Sequence, residues 1–434
     1  RPAPRAEDKT HRCAILSVVL KSTVRLMTRN SLLTRIAMKT PHVIRPMTED
    51  DLEQLFRIRQ VAFFDSTDPT DPFIIEHHLA MLPYRYGCFI DGELASTATW
   101  WPYSVMFYGE KRRAAGLASV STALAHRRKG CVAALLADGL RRAREEKHAW
   151  SFEHPFDPRY YARFGWETVH NGSLFRVPAE HFFTRMTSPT TMRQVDPDDE
   201  DNRARFAAIH AGFAKPYNFM MTRDDGLRDT WEMLFHGAIW QSNHRVNAFL
   251  GEHAYAILQM QRGPEGQVVD VVDYGYDSPT GRQELFNLLG QFHGQSQLIE
   301  ILLPDDDPLT MDWCTFATKH PNSLQARVVD VIAALEMTRP EREVAFTLQV
   351  KDTFCDWNDG IFALDASAAG SSAKETTIAP DISLDVGTLA RILSGSLDVR
   401  VAARVGLLAG KEDAIKALGA LATHPCHLPT ADYF

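Results

Sequence analysis

Apolar residues along the chain switch repeatedly between strand-like and helical spacing. Val43-Ile44-Arg45-Pro46 reads as a first strand, and Thr48-Glu49-Asp50-Asp51 as the cap and acidic first turn of a helix running to about Phe64. The stretch GCFIDGELASTATWWPYSVMFYG predicts two strands joined at Asp91-Gly92, a hairpin signal. Leu117 to Leu124 carries small, hydroxyl and β-branched residues without a breaker and reads as a strand. After it, Val132, Leu135, Leu136, Leu140 and Ala143 recur at helical spacing and give one apolar face. HAWSFEHP adds a short strand.

A second strand–loop–helix series follows a Ser/Thr/Pro-bearing link at 186–195. It has a helix at 196–214, a strand pair across HRVNAFLGEHAYAILQMQR, the strand GQVVDVVDYGY, and a helix opened by SPTGRQELFNLLGQF. Further on, Val344, Phe346, Leu348 and Val350 alternate with polar residues, as does DGIFALDAS, while DVGTLARILSG and KEDAIKALGALA read as helices.

The junction between the Leu117–Leu124 strand and its helix carries the chemistry. His126, Arg127, Arg128 and Lys129 precede Gly130, at a helix terminus whose first N–H groups lack partners and whose dipole end is positive. Such a terminus is an anion site. It has neither the Lys-Ser/Thr of a Walker loop nor the three-glycine dinucleotide fingerprint. Taken alone, the bases also fit a solvated loop.

Arg127-x-x-Gly130-x-Val132 resembles the pyrophosphate loop of the GNAT superfamily of acetyl-CoA-dependent acyltransferases, Arg/Gln-x-x-Gly-x-Gly/Ala, without the final small residue. The Eis-type (enhanced intracellular survival) branch shares that departure, and its His-Arg-Arg-Arg-Gly-Val-Leu is similar to His126 to Val132 here. RYYARFGW, residues 159–166, resembles that family's Tyr-Gly-Arg-Phe-Gly-Tyr segment, and Tyr161 falls on its general-acid tyrosine. The chain stops at Phe434, similar to the aromatic whose α-carboxylate reaches the Eis-type active site.

The resemblance implies an α/β (α+β) protein of two tandem GNAT-like domains, 42–185 and 186–321, and a sterol-carrier-protein-like α+β domain, 322–434. The middle domain, lacking a run of bases, is expected to bind no CoA. The resemblance implies acetyl-CoA as co-substrate, held by Val120, Ser121, Thr122, Arg127, Arg128, Lys129, Gly130, Cys131, Val132, Ala133, Phe156 and Asp157. Phe156 departs from the serine common in the family. Asp65, in FFDSTDP, matches an acidic acceptor position, and the same residue type in a turn is also an ordinary cap. The implied acceptor is a primary amine of an aminoglycoside, polyamine or lysine, and the implied assembly a homohexamer. The competing reading is a non-catalytic CoA- or lipid-binding regulator that keeps the fold.

Composition changes this picture little. In 434 residues the apolar fraction of 45% suits several cored domains. No apolar run reaches membrane-spanning length. The six cysteines form no CxxC pair, and no HExxH or comparable spacing occurs, so a reducing, cytoplasmic setting and no metal are expected. His77 and His78 are expected on a loop or helix surface. Residues 1–41 carry a net +7, leaving −15 for residues 42–434, an acidic body that favours cationic acceptors. No nucleic-acid partner is expected. The basic, Ser/Thr-rich opening has transit-peptide composition. MKTPHVIRPMTEDD from Met38 resembles a GNAT start, so residues 1–41 read as a disordered extension from upstream over-translation or artefact, outside the fold.

Overall fold

The computed structural model describes residues 42–170, 173–223, 231, 234–235, 246–263, 266–311, 316–319 and 323–427. Its strands form three sheets, and the chain divides into two compact units. One unit comprises the described residues up to Thr99 with Ser119–Gly139, the other Trp100–Ala118 with the described residues from Leu140 onward.

The first unit contains β1 (Val43–Pro46), α1 (Leu52–Ala62), α2 (Pro72–Met81), β2 (Arg85–Ile90), the start of β3 (Glu93–Phe107), the end of β4 (Glu110–Thr122) and the start of α3 (Cys131–Glu145). β2 pairs antiparallel with both β1 and β3. Asp91 and Gly92 have φ of 52° and 84°, the left-handed pair of a two-residue hairpin, as DG predicts. Leu52, Leu55 and Ile58 pack from α1 against Met47, Phe89 and Leu94. His78 departs from the surface expectation. It is buried on α2, with Nδ1 2.9 Å from the fully buried Arg85 guanidinium. Burial first, then the charge of Arg85, pushes its pKa down to about 3, so the ring is neutral and Nδ1 accepts.

The second unit holds β5 (Trp150–Glu153), α4 (Pro158–Ala162), β6 (Glu167–His170), β7 (Ser173–Pro178), β8 (Arg193–Gln194), α5 (Glu200–Ala214), β9 (Asn247–Leu250), β10 (Ala254–Gly263), β11 (Gly266–Tyr276), α6 (Pro279–Gly290), β12 (Leu298–Leu303), β13 (Phe316–Lys319) and β14 (Leu324–Val328). The second sheet runs β13-β7-β12-β11-β10-β9-β8, with β11 parallel to β12, the strand–helix–strand layout expected of the middle region. Asp199 and Ser278 cap α5 and α6. At the start of α6 a Cβ on Gly281 would lie 2.1 Å from the His253 carbonyl oxygen, and Arg282 is paired with Asp307 at 2.8 Å. Backbone therefore covers this terminus, and its base is engaged.

A third sheet, β17-β16-β15-β18-β19, comprises β15 (Val344–Lys351), β16 (Gly360–Ser367), β17 (Gly370–Glu375), β18 (Ile382–Asp385) and β19 (Leu408–Gly410). Val344, Phe346, Leu348 and Val350 are buried, matching their alternation. Asp385 caps the helix α7 (Val386–Leu393) through the Thr388 N–H.

Sheet membership does not follow the expected divisions at 185 and 322. β7 belongs to the second sheet, and β14 pairs antiparallel with both β5 and β6. All five β14 side chains are buried, Arg327 among them. Its guanidinium pairs with Asp352 at 2.6 Å and donates to the Phe164 carbonyl. Gly165, at φ 88°, leaves room for it, since a Cβ there would lie 1.6 Å from Nη1. Asp352 also accepts from the Phe354 and Cys355 N–H groups, each at 3.0 Å. Removing one member of such a pair strands a buried charge at a cost of about 3–5 kcal/mol. Asp352→Ala should therefore lower the urea midpoint of unfolding far more than the exposed control Asp413→Ala; equal midpoints would contradict this role.

Candidate functional site

The basic loop at residues 126–130 lies in the first unit. β4 enters it through Ser119, whose φ of 52° is unusual for a non-glycine residue and re-aims the strand. The end of β4 is then locked to β3. Ser96 Oγ donates to the Ser121 carbonyl at 2.6 Å and lies 2.9 Å from Thr122 Oγ1, while the Ala123 N–H donates to Ala95 O at 3.0 Å. A single turn at Leu124–His126 follows, then Arg127 in extended conformation, then Arg128 and Gly130 with φ of 65° and 85°. Two left-handed residues within three positions curl the loop into the start of α3, as a backbone anion cradle requires.

Arg127, Arg128 and Lys129 are exposed, whereas Gly130, Val132 and Ala133 are half-buried and Cys131 is buried. His126 stands 3.5 Å from Glu93. The structure thus brings Val120–Thr122 and residues 127–133 together at one strand–helix junction. The Ala134 N–H is the first to bond within α3, to Gly130 O, which leaves the amides of Cys131, Val132 and Ala133 for an anion.

Asp65, also in the first unit, accepts from Arg59 Nε at 3.1 Å, Thr67 N at 3.0 Å and Thr67 Oγ1 at 2.6 Å. Burial pushes its pKa up, but these bonds outweigh burial and the net direction is down. The carboxylate shapes its own turn and neutralises the buried Arg59.

In the second unit, Asp157 caps α4 by accepting from the Arg159 N–H at 3.0 Å, and its carboxylate also pairs with the Arg159 guanidinium. Phe156 is 78% exposed. Tyr161 is 4% exposed and ringed by Tyr160, Phe156 and Trp166 at 5.1, 5.9 and 6.4 Å between centroids. Burial, then the neighbouring Glu153 and Tyr160, raises the Tyr161 pKa, so the phenol keeps its proton at neutral pH.

In sequence Glu153 is only one residue of a short strand. It is 2% exposed, its Oε1 has no hydrogen-bond partner among the described residues, and burial lifts its pKa to about 9. A carboxyl group closing the short strand-like run AWSFE was the available signal. Phe434 lies outside the described residues. Among the described residues no helix is long and apolar enough to cross a membrane.

Residues 43–169 match the Acetyltransferase (GNAT) domain family, and residues 328–428 the Sterol carrier protein domain family. An uncharacterised N-acetyltransferase of Streptomyces coelicolor is 27% identical over 67% of this chain and 73% of its own length. One from Streptomyces griseus is 23% identical over 82% and 91%. Among solved structures, a GCN5-related N-acetyltransferase from Anabaena variabilis superimposes with a TM-score of 0.76 at 18% identity, covering 91% of this chain and all of that one. Eis1 from Mycobacterium abscessus does so with 0.75 at 20%, covering 90% and 100%. Residues 43–169 thus match a GNAT acetyltransferase domain and residues 328–428 a sterol carrier protein domain, on a fold similar to that of Eis1.

Proposed function

We propose that the protein transfers the acetyl group of acetyl-CoA to a primary amine within a ternary complex. The GNAT domain match over residues 43–169 implies an acyl-CoA co-substrate. The observation that carries the donor role is the curled, left-handed loop at Arg128 and Gly130, which opens α3 beside three exposed bases. Arg127, Arg128, Lys129 and the amides from Gly130 to Ala133 hold the pyrophosphate by charge-assisted bonds. Backbone N–H groups of Val120 to Thr122 meet the pantetheine and the acetyl oxygen, where negative charge develops. The covered N-terminus of α6 takes no part.

Tyr161 protonates the departing thiolate, a role supported by the raised pKa that keeps its proton in place. The Phe434 carboxylate accepts the amine proton. A carboxylate is a weak base for an ammonium ion, so this step needs burial of the carboxylate or a relaying water. Phe156 and Asp157 complete the donor set, and Asp65 the acceptor side. The acceptor is an aminoglycoside, polyamine or lysine amine, attracted by the acidic body. A homohexamer, the cytoplasmic setting and the domain limits 42–185, 186–321 and 322–434 belong to the same reading and rest on the family resemblance.

The test is release of CoA thiol from acetyl-CoA against a panel of amines. Amine-dependent release is expected, and Tyr161→Phe should lower kcat by about 100-fold or more, as general acids contribute, with KM for acetyl-CoA little changed. Acetyl-CoA binding without release from any amine would instead support a non-catalytic binder.

A second prediction concerns Glu153. With its pKa raised from 4.5 to about 9, the folded chain holds a proton that the unfolded chain releases. Its contribution to stability is full below pH 4.5 and is lost as pH rises toward 9. Glu153→Gln should therefore gain Tm relative to the parent as pH rises from 5 to 8.5, at roughly 2–4 °C per kcal/mol; a difference constant with pH would contradict a buried, protonated carboxyl.

A further inference from the structure

Spacing along the chain predicts no metal, because His42, Cys88 and Cys131 lie 46 and 43 residues apart. The fold nevertheless gathers them in the first unit. Ile44 of β1 pairs with Cys88 of β2, so His42, two residues earlier, shares the face of Cys88 as a diagonal neighbour. Cys131 is the first residue of α3. The two sulfurs and one imidazole nitrogen lie within 4.8 Å of one another. Cys88 and Cys131 are 0% and 2% exposed, both as free thiols, and the buried His42 Nε2 has no hydrogen-bond partner among the described residues.

Buried cysteines often serve as small apolar residues. That account explains neither two sulfurs facing one imidazole nor the orphaned Nε2, which costs free energy while unpaired. We propose that Cys88 Sγ, Cys131 Sγ and His42 Nε2 bind a thiophilic divalent metal, Zn²⁺, with a fourth position left for water. Two thiolates and an imidazole are ligands that select zinc over hard cations, and such a three-ligand set keeps an open position. Bonds of about 2.3 Å to sulfur and 2.0 Å to nitrogen place tetrahedral ligand atoms about 3.5–3.8 Å apart. Side-chain rotation closing the cluster by about 1 Å is enough. Each thiol releases one proton on binding, so the dipositive ion and two thiolates are neutral together. The metal would tie the first residue of α3 to β2, and the proposal stands whether or not the protein transfers acetyl groups.

The test uses the full chain, reduced and stripped of metal, titrated with Co²⁺. One Co²⁺ per chain is expected, with thiolate-to-cobalt charge transfer in the near ultraviolet, tetrahedral visible bands, and displacement by Zn²⁺. Cys88→Ser should abolish the charge transfer. Because Cys88 is fully buried, the half-buried His42→Gln provides an independent arm, weakening Co²⁺ binding by about tenfold or more, while Zn²⁺ should raise the Tm of the parent and not of His42→Gln. Absence of charge transfer in the reduced parent, or charge transfer unchanged in either variant, would overturn the proposal. So would a Cys88–Cys131 disulfide that forms in air in a chain that binds no cobalt once reduced.

Discussion

The ion pair between Arg327 and Asp352 is the constraint on which the Tyr161 segment depends. Both side chains are almost wholly withdrawn from water, so the pair relies on the further bonds of Arg327 to the Phe164 carbonyl and of Asp352 to the Phe354 and Cys355 N–H groups. Arg327 reaches them from a strand between β5 and β6 and lies over the Trp166 ring at 5.5 Å. It fills the space beside Gly165 that no other residue type would leave open. Asp352 draws in the backbone at Phe354 and Cys355, at the end of the third sheet's β15. The turn that follows Tyr161 is thereby anchored to the sterol-carrier-like region. The C-terminal domain has a mechanical part in the fold whatever else it binds.

Burial sets protonation states around that anchor. Glu153 and Tyr161 are both pushed toward their neutral forms, chiefly by desolvation. A neutral phenol surrounded by aromatic rings keeps its proton at neutral pH, because the charged form would be poorly solvated there. The donor loop has the opposite character. Its bases are exposed and its backbone is curled, which suits a diffusing, highly charged ligand.

Local signals carried most of the element-level reading. Asp91-Gly92 specified its hairpin through backbone chirality, the stretches read as helical near 196–214, 278–292 and 385–395 form helices that Asp199, Ser278 and Asp385 cap, and Val344 to Val350 alternated because one face is buried. The partners of strands were not legible. Leu324–Val328 alternates apolar and polar residues as a half-exposed strand would, yet all five side chains are buried, and no local feature assigns it to β5 and β6 rather than to the third sheet. Arg327 reads in sequence as a reason to doubt a buried strand, and only its partner Asp352 resolves that. The strand–loop–helix junction at residues 117–143 was legible because its residues are contiguous. His78, Glu153 and the His42–Cys88–Cys131 cluster were not, because their character comes from burial and from neighbours distant in sequence.

The central claim is that the loop from Arg127 to Ala133 holds the pyrophosphate of a CoA thioester. Calorimetric titration with acetyl-CoA at two salt concentrations tests it most directly, using the parent chain and Arg128→Ala. The account predicts saturable binding to the parent, weakened by salt, and a dissociation constant at least about tenfold higher, near 1.4 kcal/mol, with a shallower salt dependence in Arg128→Ala. An unchanged dissociation constant and an unchanged salt dependence in that variant would contradict it.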